Sequence, residues 1–316
     1  MLKDRLKTSA VLISIAVLLM WLDAKVSKPG AEGLYLLPLL LFFALGTAFD
    51  FASLLKNSGR PIKRRSAVMA TGIVTLSSAV PLMWPLVDQI YPPDCPVGRL
   101  GWIVVGAITA VFWILLGEMR TYGTDDSKES GTIERTSAAV LVSIYVGMPM
   151  ALLVALRSLH SGNWGLVALI TMIAVTKSAD AGAYFTGKSI GKHKLIPRLS
   201  PGKTWEGAIG GVVASTLVAF ACLTWLFPEP TGQAVGSGPA IASGLSNPMW
   251  GALLLGPLLA LSGMVGDLAE SLVKRDCGAK DSGTWLPGLG GVWDVTDSLI
   301  AAVLPAYLCF AAGVGG

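Results

Sequence analysis

Nine long apolar runs divide the chain, and short polar stretches separate them. A membrane-spanning helix needs roughly 17–25 predominantly apolar residues, and each run is close to that length. The pattern therefore predicts an all-α fold, a polytopic integral membrane bundle of about nine transmembrane helices. The predicted helices lie at about residues 8–24, 34–55, 67–90, 100–117, 136–157, 164–184, 205–227, 248–270 and 298–314.

The composition agrees with lipid as the main solvent of this chain. Of its 316 residues, 53% are hydrophobic and only 14% are charged, with a mean hydropathy of +0.64. A soluble domain usually carries about 25% charged residues. The four cysteines are scattered and form no CxxC pair, so neither a zinc site nor a disulfide framework is indicated. No nucleic-acid partner is predicted.

The basic residues predict how the chain is oriented in the membrane. Segments 1–7, 56–66, 118–135, 186–204 and 271–297 carry 19 of the 24 lysines and arginines, whereas the intervening polar segments carry four. Because cytoplasmic loops are enriched in lysine and arginine, the five basic segments are expected in the cytosol. The chain is thus predicted to be a multi-pass protein of the cell (inner) membrane, with its N-terminus cytosolic and its C-terminus outside.

Three polar clusters lie on the predicted cytosolic side, at residues 177–184, 187–207 and 266–297. In the last one, Asp267, Ser271 and Lys274 follow helical spacing and form one polar stripe, with Glu270 beside it. Asp294 and Asp297 share a face of the next helix. Charged side chains at membrane depth are costly and usually face the bundle interior. The carboxylates of Asp267, Asp294 and Asp297 together predict an oxygen-rich site suited to Mg²⁺.

The stretch "SPGKTWEG" predicts a place for phosphate. Thr204 has the side chain of a helix N-cap, and the carboxylate of Glu206 follows in the first turn. A helix N-terminus with Lys203 beside it is suited to bind an anion. A cation site and basic phosphate ligands at a membrane surface indicate phosphoryl or nucleotidyl transfer onto a lipid.

Two stretches resemble the signature of phosphatidate cytidylyltransferases, also called CDP-diacylglycerol synthases. The resemblance covers residues 177–300 well, whereas the N-terminal half matches only as a set of membrane helices. The downstream stretch matches at Ser271, Lys274, Arg275, Lys280, Asp281, Ser282, Gly283, Pro287, Gly290, Gly291, Asp294 and Asp297. The upstream stretch matches at Asp180, Tyr184, Gly187, Lys188, Gly191, Lys192, Leu195, Pro197, Ser200, Pro201, Lys203, Thr204, Glu206 and Gly207.

The resemblance implies transfer of CMP from CTP to phosphatidate, which gives CDP-diacylglycerol and pyrophosphate at the cytosolic membrane face in phospholipid synthesis. It implies that Lys203, Lys274, Arg275 and Lys280 hold phosphates and that Asp281 orients a lysine or the waters of the metal. The implied catalytic residues are Asp267, Lys274, Arg275, Lys280, Asp281 and Asp294. The implied substrate-binding residues are Asp180, Tyr184, Lys188, Lys192, Ser200, Lys203, Thr204, Glu206 and Ser271. Mg²⁺ is the expected cofactor, and a second cation stays open.

Two regions with different roles are expected. Residues 1–135 are predicted to form N-terminal transmembrane helices that serve as a scaffold, in dimerisation or in lipid access. Residues 136–316 are predicted to form the catalytic transmembrane region, with its active site on the cytosolic side. CTP, phosphatidate or a related lipid phosphate, and the bilayer are the expected partners, and a homodimer stays open.

The chain departs from the family signature at two positions, and several alternatives stay open. The usual His-Gly-Gly is Leu289-Gly290-Gly291, and Val295 replaces the usual arginine of Asp-Arg-x-Asp. Nucleotidyl transfer tolerates the missing histidine, because the attacking phosphate monoester is already anionic. The enzymatic alternatives are a CTP-dependent polyprenol or dolichol kinase and a cytidylyltransferase for another lipid phosphate. The non-enzymatic alternatives are an ion-coupled transporter and a degenerate, partner-binding family member.

Overall fold

The structure is a computed structural model that describes residues 2–123, 131–227 and 244–316. The predicted all-α class is confirmed, since 75% of the described residues are helical. The described residues form the helices α1 (Leu2–Val26), α2 (Leu37–Asn57), α3 (Arg64–Ser77), α4 (Gly98–Thr121), α5 (Thr132–Arg157), α6 (Trp164–Ile190), α7 (Trp205–Trp225), α8 (Pro248–Asp276) and α9 (Trp293–Ala311). Parts of the polar segments 118–135 and 228–247 lie outside the described residues.

Eight of these helices are long and apolar enough to cross a membrane, and the chain is a multi-pass membrane protein. The predicted helix at 67–90 is different, because it consists of α3 and a 3₁₀ segment at Val80–Val87, bent by 53°. Pro81 and Pro85 lie in this segment and lack the N–H that would continue an α-helix. Counting the bent pair as one span gives nine spans among the described residues, as predicted.

The chain folds as two compact units. The first unit comprises Met1–Gly162 and Val273–Thr296, and the second comprises Asn163–Leu272 and Asp297–Gly316. The predicted boundary at residue 135 stays a prediction. The functional roles proposed for residues 1–135 and 136–316 stay predictions.

In the first unit, α2 to α5 pack against one another through small residues. A Cβ at Gly147 of α5 would lie 2.8 Å from the Val74 side chain of α3, so the two helices approach closely. The start of α9 also packs on α2, because Phe51 stacks on Trp293 with ring centroids 4.2 Å apart. Helix α1 exposes most of its apolar side chains, as a lipid-facing helix does.

In the second unit, α6 and α7 pack closely through glycines. A Cβ at Gly182 would lie 2.5 Å from that of Ala214, and one at Gly211 would lie 2.9 Å from the Ala179 carbonyl oxygen. Between the two helices, β1 (Lys194–Ile196) and β2 (Ser200–Thr204) form an antiparallel hairpin. The apolar pattern predicts no strand here, since both strands are short and largely exposed.

Candidate active site

Three carboxylates of the second unit converge in what we call the carboxylate cluster. Asp267 and Glu270 come from α8 and Asp297 comes from α9, and their oxygen atoms lie within 4.8 Å of one another. Glu270 is 1% exposed and Asp297 is 8% exposed, whereas Asp267 is partly open to solvent. Such proximity of like charges inside a protein is costly without a compensating cation or proton.

The local sequence explains why these carboxylates meet. Asp267 and Glu270 are three residues apart on a helix and therefore lie on one face. The adjacent Gly266 lets α9 approach, because a Cβ there would clash with the carbonyl oxygen of Asp297. The structure thus brings together two of the predicted metal ligands, Asp267 and Asp297, and adds Glu270. The i, i+3 spacing of Asp267 and Glu270 was the available sequence signal for this third carboxylate.

Basic and hydroxyl groups of the second unit surround the carboxylate cluster. Lys203, at the end of β2, places its Nζ 2.7 Å from Asp267 Oδ2. The backbone N–H of Ser298 donates to Asp297 Oδ1 at 2.6 Å. The Ser298 hydroxyl donates in turn to Asp180 Oδ2 at 3.1 Å and accepts from Lys177 Nζ at 2.8 Å. The predicted residues Asp180 and Lys203 are therefore joined to Asp297 and Asp267 by short polar contacts.

The donor set of the carboxylate cluster fits a hard divalent cation. Carboxylate oxygens are the ligands that Mg²⁺ prefers, and no thiol or imidazole belongs to this group. Lys203 pairs with Asp267, and the Lys177 ammonium group lies 2.8 Å from the hydroxyl of Ser298, the residue after Asp297. Ser271 belongs to the same face of α8, and its hydroxyl donates to Asp267 Oδ1 at 3.5 Å.

The start of α7 confirms Thr204 as an N-cap. Its hydroxyl accepts a hydrogen bond from the backbone N–H of Gly207 at 3.1 Å. Glu206 turns back to the hairpin, where its carboxylate accepts from the backbone N–H groups of Lys192 and His193 at 3.1 and 3.2 Å. It also contacts the His193 ring at 2.6 Å. Glu206 therefore holds the hairpin that presents Lys203.

The remaining upstream residues lie on the exposed side of the second unit. Tyr184 and Lys188 are neighbours on α6, with the Lys188 Nζ 5.6 Å from the centre of the Tyr184 ring. Lys192 is exposed just before β1, and Ser200 is half-buried at the start of β2. Their assignment as substrate-binding residues stays a prediction.

In the first unit, Asp294 organises the residues that connect α8 and α9, which we call the signature loop (277–292). Its Oδ1 accepts from Lys274 Nζ at 2.8 Å. Its Oδ2 accepts from the Ser282 hydroxyl at 2.8 Å and from the Gly291 N–H at 2.7 Å. The carboxylate thus ties the end of α8 and the signature loop to the start of α9. Its role as a metal ligand stays a prediction.

The signature loop keeps a tight turn despite leucine at the position of the family's histidine. The turn is closed by backbone hydrogen bonds, from Leu286 N–H to the Gly290 carbonyl at 3.0 Å and from Gly290 N–H to the Leu286 carbonyl at 3.1 Å. Gly290 has a φ of +97°, and a Cβ there would lie 2.7 Å from Asp294 Oδ2. The turn therefore depends on glycine at 290 and needs no imidazole at 289.

A pocket of about 530 Å³ opens between the signature loop, the end of α2 and the start of α3 in the first unit. Its lining includes Lys280 and Asp281 from the loop and Arg64 from α3. The volume is in the range of small-molecule sites, which are usually about 300–1,000 Å³. Arg275 is exposed near the end of α8. Lys280, a predicted phosphate ligand, and Asp281, predicted to orient a lysine or the waters of the metal, therefore line a cavity of suitable size.

Asp50 of α2 is a buried carboxylate that the sequence analysis missed. Its Oδ2 accepts from the backbone N–H groups of Val292 and Trp293, at 2.5 and 3.3 Å. The signal available was a carboxylate in the middle of an apolar run, where an unpaired charge is costly. The N-terminal half of the chain therefore contributes a polar contact to the start of α9.

The chain belongs to the Cytidylyltransferase family, whose pattern matches residues 3–312. The predicted resemblance to phosphatidate cytidylyltransferases is thereby confirmed. The phosphatidate cytidylyltransferase of Bacillus subtilis (strain 168) is 36% identical over 202 residues, which are 64% of this chain and 67% of that relative.

Other relatives match over a shorter segment. The phosphatidate cytidylyltransferase of Brucella suis biovar 1 (strain 1330) is 44% identical over 146 residues, which are 46% of this chain and 47% of that relative. The uncharacterized protein YnbB of Escherichia coli (strain K12) is 40% identical over 146 residues, which are 46% of this chain and 43% of that relative. In these alignments the chain spans about half the length of the curated relatives.

Proposed function

We propose that this protein transfers CMP from CTP to phosphatidate, releasing pyrophosphate and forming CDP-diacylglycerol in phospholipid synthesis. Family membership supports nucleotidyl transfer, and the membrane-spanning helices support a substrate with acyl chains in the bilayer. The observation that carries the proposal is the carboxylate cluster with Lys203 at its edge. Such a cluster in a cytidylyltransferase is suited to hold the divalent cation that accompanies a nucleoside triphosphate.

In this proposal a phosphate oxygen of phosphatidate attacks the α-phosphorus of CTP. The new bond joins this oxygen to the α-phosphorus, and the bond from the α-phosphorus to the bridging oxygen of the β-phosphate breaks. The attacking monoester is already anionic and pyrophosphate leaves as an anion, so positioning and charge compensation provide most of the catalysis. A protein residue that removes a proton from the nucleophile is not required.

The residues of this chain have distinct proposed roles. Asp267, Glu270 and Asp297 would hold Mg²⁺, with Asp294 kept as the predicted further ligand. Bound Mg²⁺ would offset the negative charge on the transferring phosphates. Lys203 would bind phosphate and orient Asp267, since its ammonium group lies at the end of the hairpin braced by Glu206.

The first unit would contribute the other phosphate ligands. Lys274 is held by Asp294, which fixes the direction of its ammonium group. Lys280 lines the pocket of the first unit and would bind a phosphate there. The exposed Arg275 is assigned only by its place in the signature. Asp281, also at the pocket, would orient a lysine or bound water.

We further propose that the protein resides in the bacterial inner membrane with a cytosolic N-terminus and an external C-terminus. The proposal is supported by the 19 basic residues in alternate polar segments against four in the others. The water-soluble CTP would then meet the lipid headgroup at the cytosolic face. A homodimer stays a prediction.

The test is to incubate the purified protein with CTP and a panel of lipids that includes phosphatidate, polyprenyl phosphate and the free alcohols polyprenol and dolichol. Mass spectrometry of the lipid fraction should detect a CDP-lipid made only from phosphatidate. A phosphorylated polyprenol with release of CDP would support the kinase instead. Absence of any CTP-derived lipid, in a folded protein, would favour the transporter or the partner-binding member.

A further inference from the structure

Asp50 is a buried carboxylate that the proposed reaction leaves without a role. It lies in α2, far in sequence from the signature loop, and is 2% exposed. A carboxylate buried in an apolar helix destabilises the folded protein unless it accepts hydrogen bonds. The groups that donate hydrogen bonds to Asp50 therefore indicate what this carboxylate does.

Those partners are backbone N–H groups at the start of α9, one from the residue just before the helix and one from its first residue. Val292 and Trp293 donate to Asp50 Oδ2 at 2.5 and 3.3 Å. The first N–H groups of a helix have no partner within the helix, and the positive end of the helix dipole favours a negative charge nearby. Asp50 thus acts as an N-terminal cap that comes from a different helix.

Asp294 takes the adjacent donor, and the two carboxylates divide the start of α9 between them. Asp294 accepts from the Gly291 N–H at 2.7 Å, while Asp50 accepts from the next two residues. Because Asp50 satisfies Val292 and Trp293, the Asp294 carboxylate is available for Ser282 and Lys274. The direction of the Lys274 ammonium group therefore depends on both carboxylates.

Close packing around Asp50 leaves little room for an alternative arrangement. A Cβ at Gly291 would lie 2.6 Å from Asp50 Oδ2, and a Cβ at Gly283 would clash with the same carboxylate. Phe51, the next residue of α2, stacks on Trp293 with centroids 4.2 Å apart. The glycines of the signature loop thus make space for a side chain from the N-terminal half.

We propose that Asp50 is a positioning residue for the reaction, which caps α9 and thereby fixes the Asp294–Lys274 pair and the signature loop. The N-terminal helices are then part of the machinery that sets the catalytic geometry. This inference rests on the proposed function where it concerns turnover, but the cap itself can be measured without any substrate.

The experiment compares the full-length wild type with Asp50→Asn, Asp50→Ala and the control Thr47→Val. Thr47 also lies on α2 and hydrogen-bonds Thr296 of α9 at 2.8 Å, but this bond is to a hydroxyl group and not to the backbone N–H groups that Asp50 accepts from. Asparagine keeps the shape and one acceptor oxygen, so Asp50→Asn remains informative if Asp50→Ala does not fold. Hydrogen–deuterium exchange and the thermal midpoint are measured in detergent without substrate, and kcat is measured with CTP and phosphatidate.

We expect Asp50→Asn to lower kcat about tenfold and Asp50→Ala to lower it further, because a charged acceptor is lost from two buried donors. Amide exchange should accelerate by at least about tenfold at residues 291–294 while the helix interiors stay protected. Thr47→Val should change kcat by less than about twofold. Unchanged kcat in Asp50→Asn, or faster exchange spread evenly over all helices, would overturn the proposal.

A double-mutant cycle distinguishes positioning from a general structural effect. If Asp50 acts through the Asp294–Lys274 pair, Asp50→Asn should lower kcat by less than about threefold in a Lys274→Gln background, because contacting groups are not additive. A full tenfold loss in that background would contradict action through Lys274. A wild type that makes no CDP-lipid would refute the proposed function, whereas the exchange data would still decide whether Asp50 caps α9.

Discussion

Glu270→Gln is the most informative single change in the carboxylate cluster. The substitution keeps the shape of a side chain that is 1% exposed and removes one of three negative charges within 4.8 Å. Two unit charges at that separation interact by about 3 kcal/mol at an effective dielectric constant of about 20. Bound Mg²⁺ would relieve this repulsion, so removal of one charge should weaken the binding of the cation.

The loss in the free energy of Mg²⁺ binding should be smaller than this repulsion between two carboxylates. Lys203 already pairs with Asp267, and water reaches the 38% exposed Asp267 side chain. Taking about half of the pair energy leaves about 1.5 kcal/mol, which corresponds to roughly a tenfold loss of Mg²⁺ affinity. We therefore expect the Mg²⁺ concentration for half-maximal thermal stabilisation to rise about tenfold in Glu270→Gln.

The assay is a thermal-shift titration of the purified protein in detergent, first stripped with EDTA and then supplied with Mg²⁺. Asp276→Asn is the matched control, because Asp276 lies on the same helix but forms an exposed ion pair with Arg60. The control should titrate like the wild type. An unchanged Mg²⁺ response in Glu270→Gln would refute the assignment of the carboxylate cluster as the cation site.

The remaining predictions concern catalysis, phosphate binding and topology. Asp267→Asn and Asp294→Asn should each abolish nearly all formation of CDP-lipid without unfolding the protein. Excess EDTA should abolish the activity of the wild type in the same way. Substantial turnover in either case would contradict a metal-dependent mechanism. Lys203→Ala should raise the KM for CTP or lower kcat at least tenfold in steady-state assays, whereas Lys25→Ala should have little effect. Equally small effects of both substitutions would mean that the 187–207 segment is only a membrane anchor. In a cysteine-free background, a cysteine in place of Gly244 should react with an impermeant maleimide from outside the cell, since a Cβ there would have open space. Reaction only from the cytosol would contradict the predicted orientation.

The sequence was sufficient for the helices and for part of the carboxylate cluster. Apolar length predicts the membrane spans because backbone groups in lipid must pair within a helix. Helical spacing placed Asp267 on a polar stripe, and the predicted N-cap at Thr204 is confirmed because capping is a local interaction. The bend after α3 could have been expected from Pro81 and Pro85, although its size of 53° depends on packing.

Contacts between distant segments could not be predicted in the same way. Asp50 caps a helix 242 residues away, and a single sequence contains no distance information for such a pair. Glu270 was visible beside the stripe, but its place among the ligands depends on how closely α9 packs at Gly266. The position of Asp294 in the predicted metal set followed from its spacing to Asp297, whereas in the structure its carboxylate accepts hydrogen bonds from Lys274, Ser282 and Gly291.

The most direct test of the proposed reaction follows the phosphorus atoms of CTP into the lipid. Purified wild-type protein is incubated with phosphatidate, Mg²⁺ and CTP labelled with ³²P at either the α- or the γ-position. We predict label in the lipid product only from α-labelled CTP, with one pyrophosphate released for each CDP-diacylglycerol formed. Label in the lipid from γ-labelled CTP, with release of CDP, would contradict CMP transfer and identify a kinase instead.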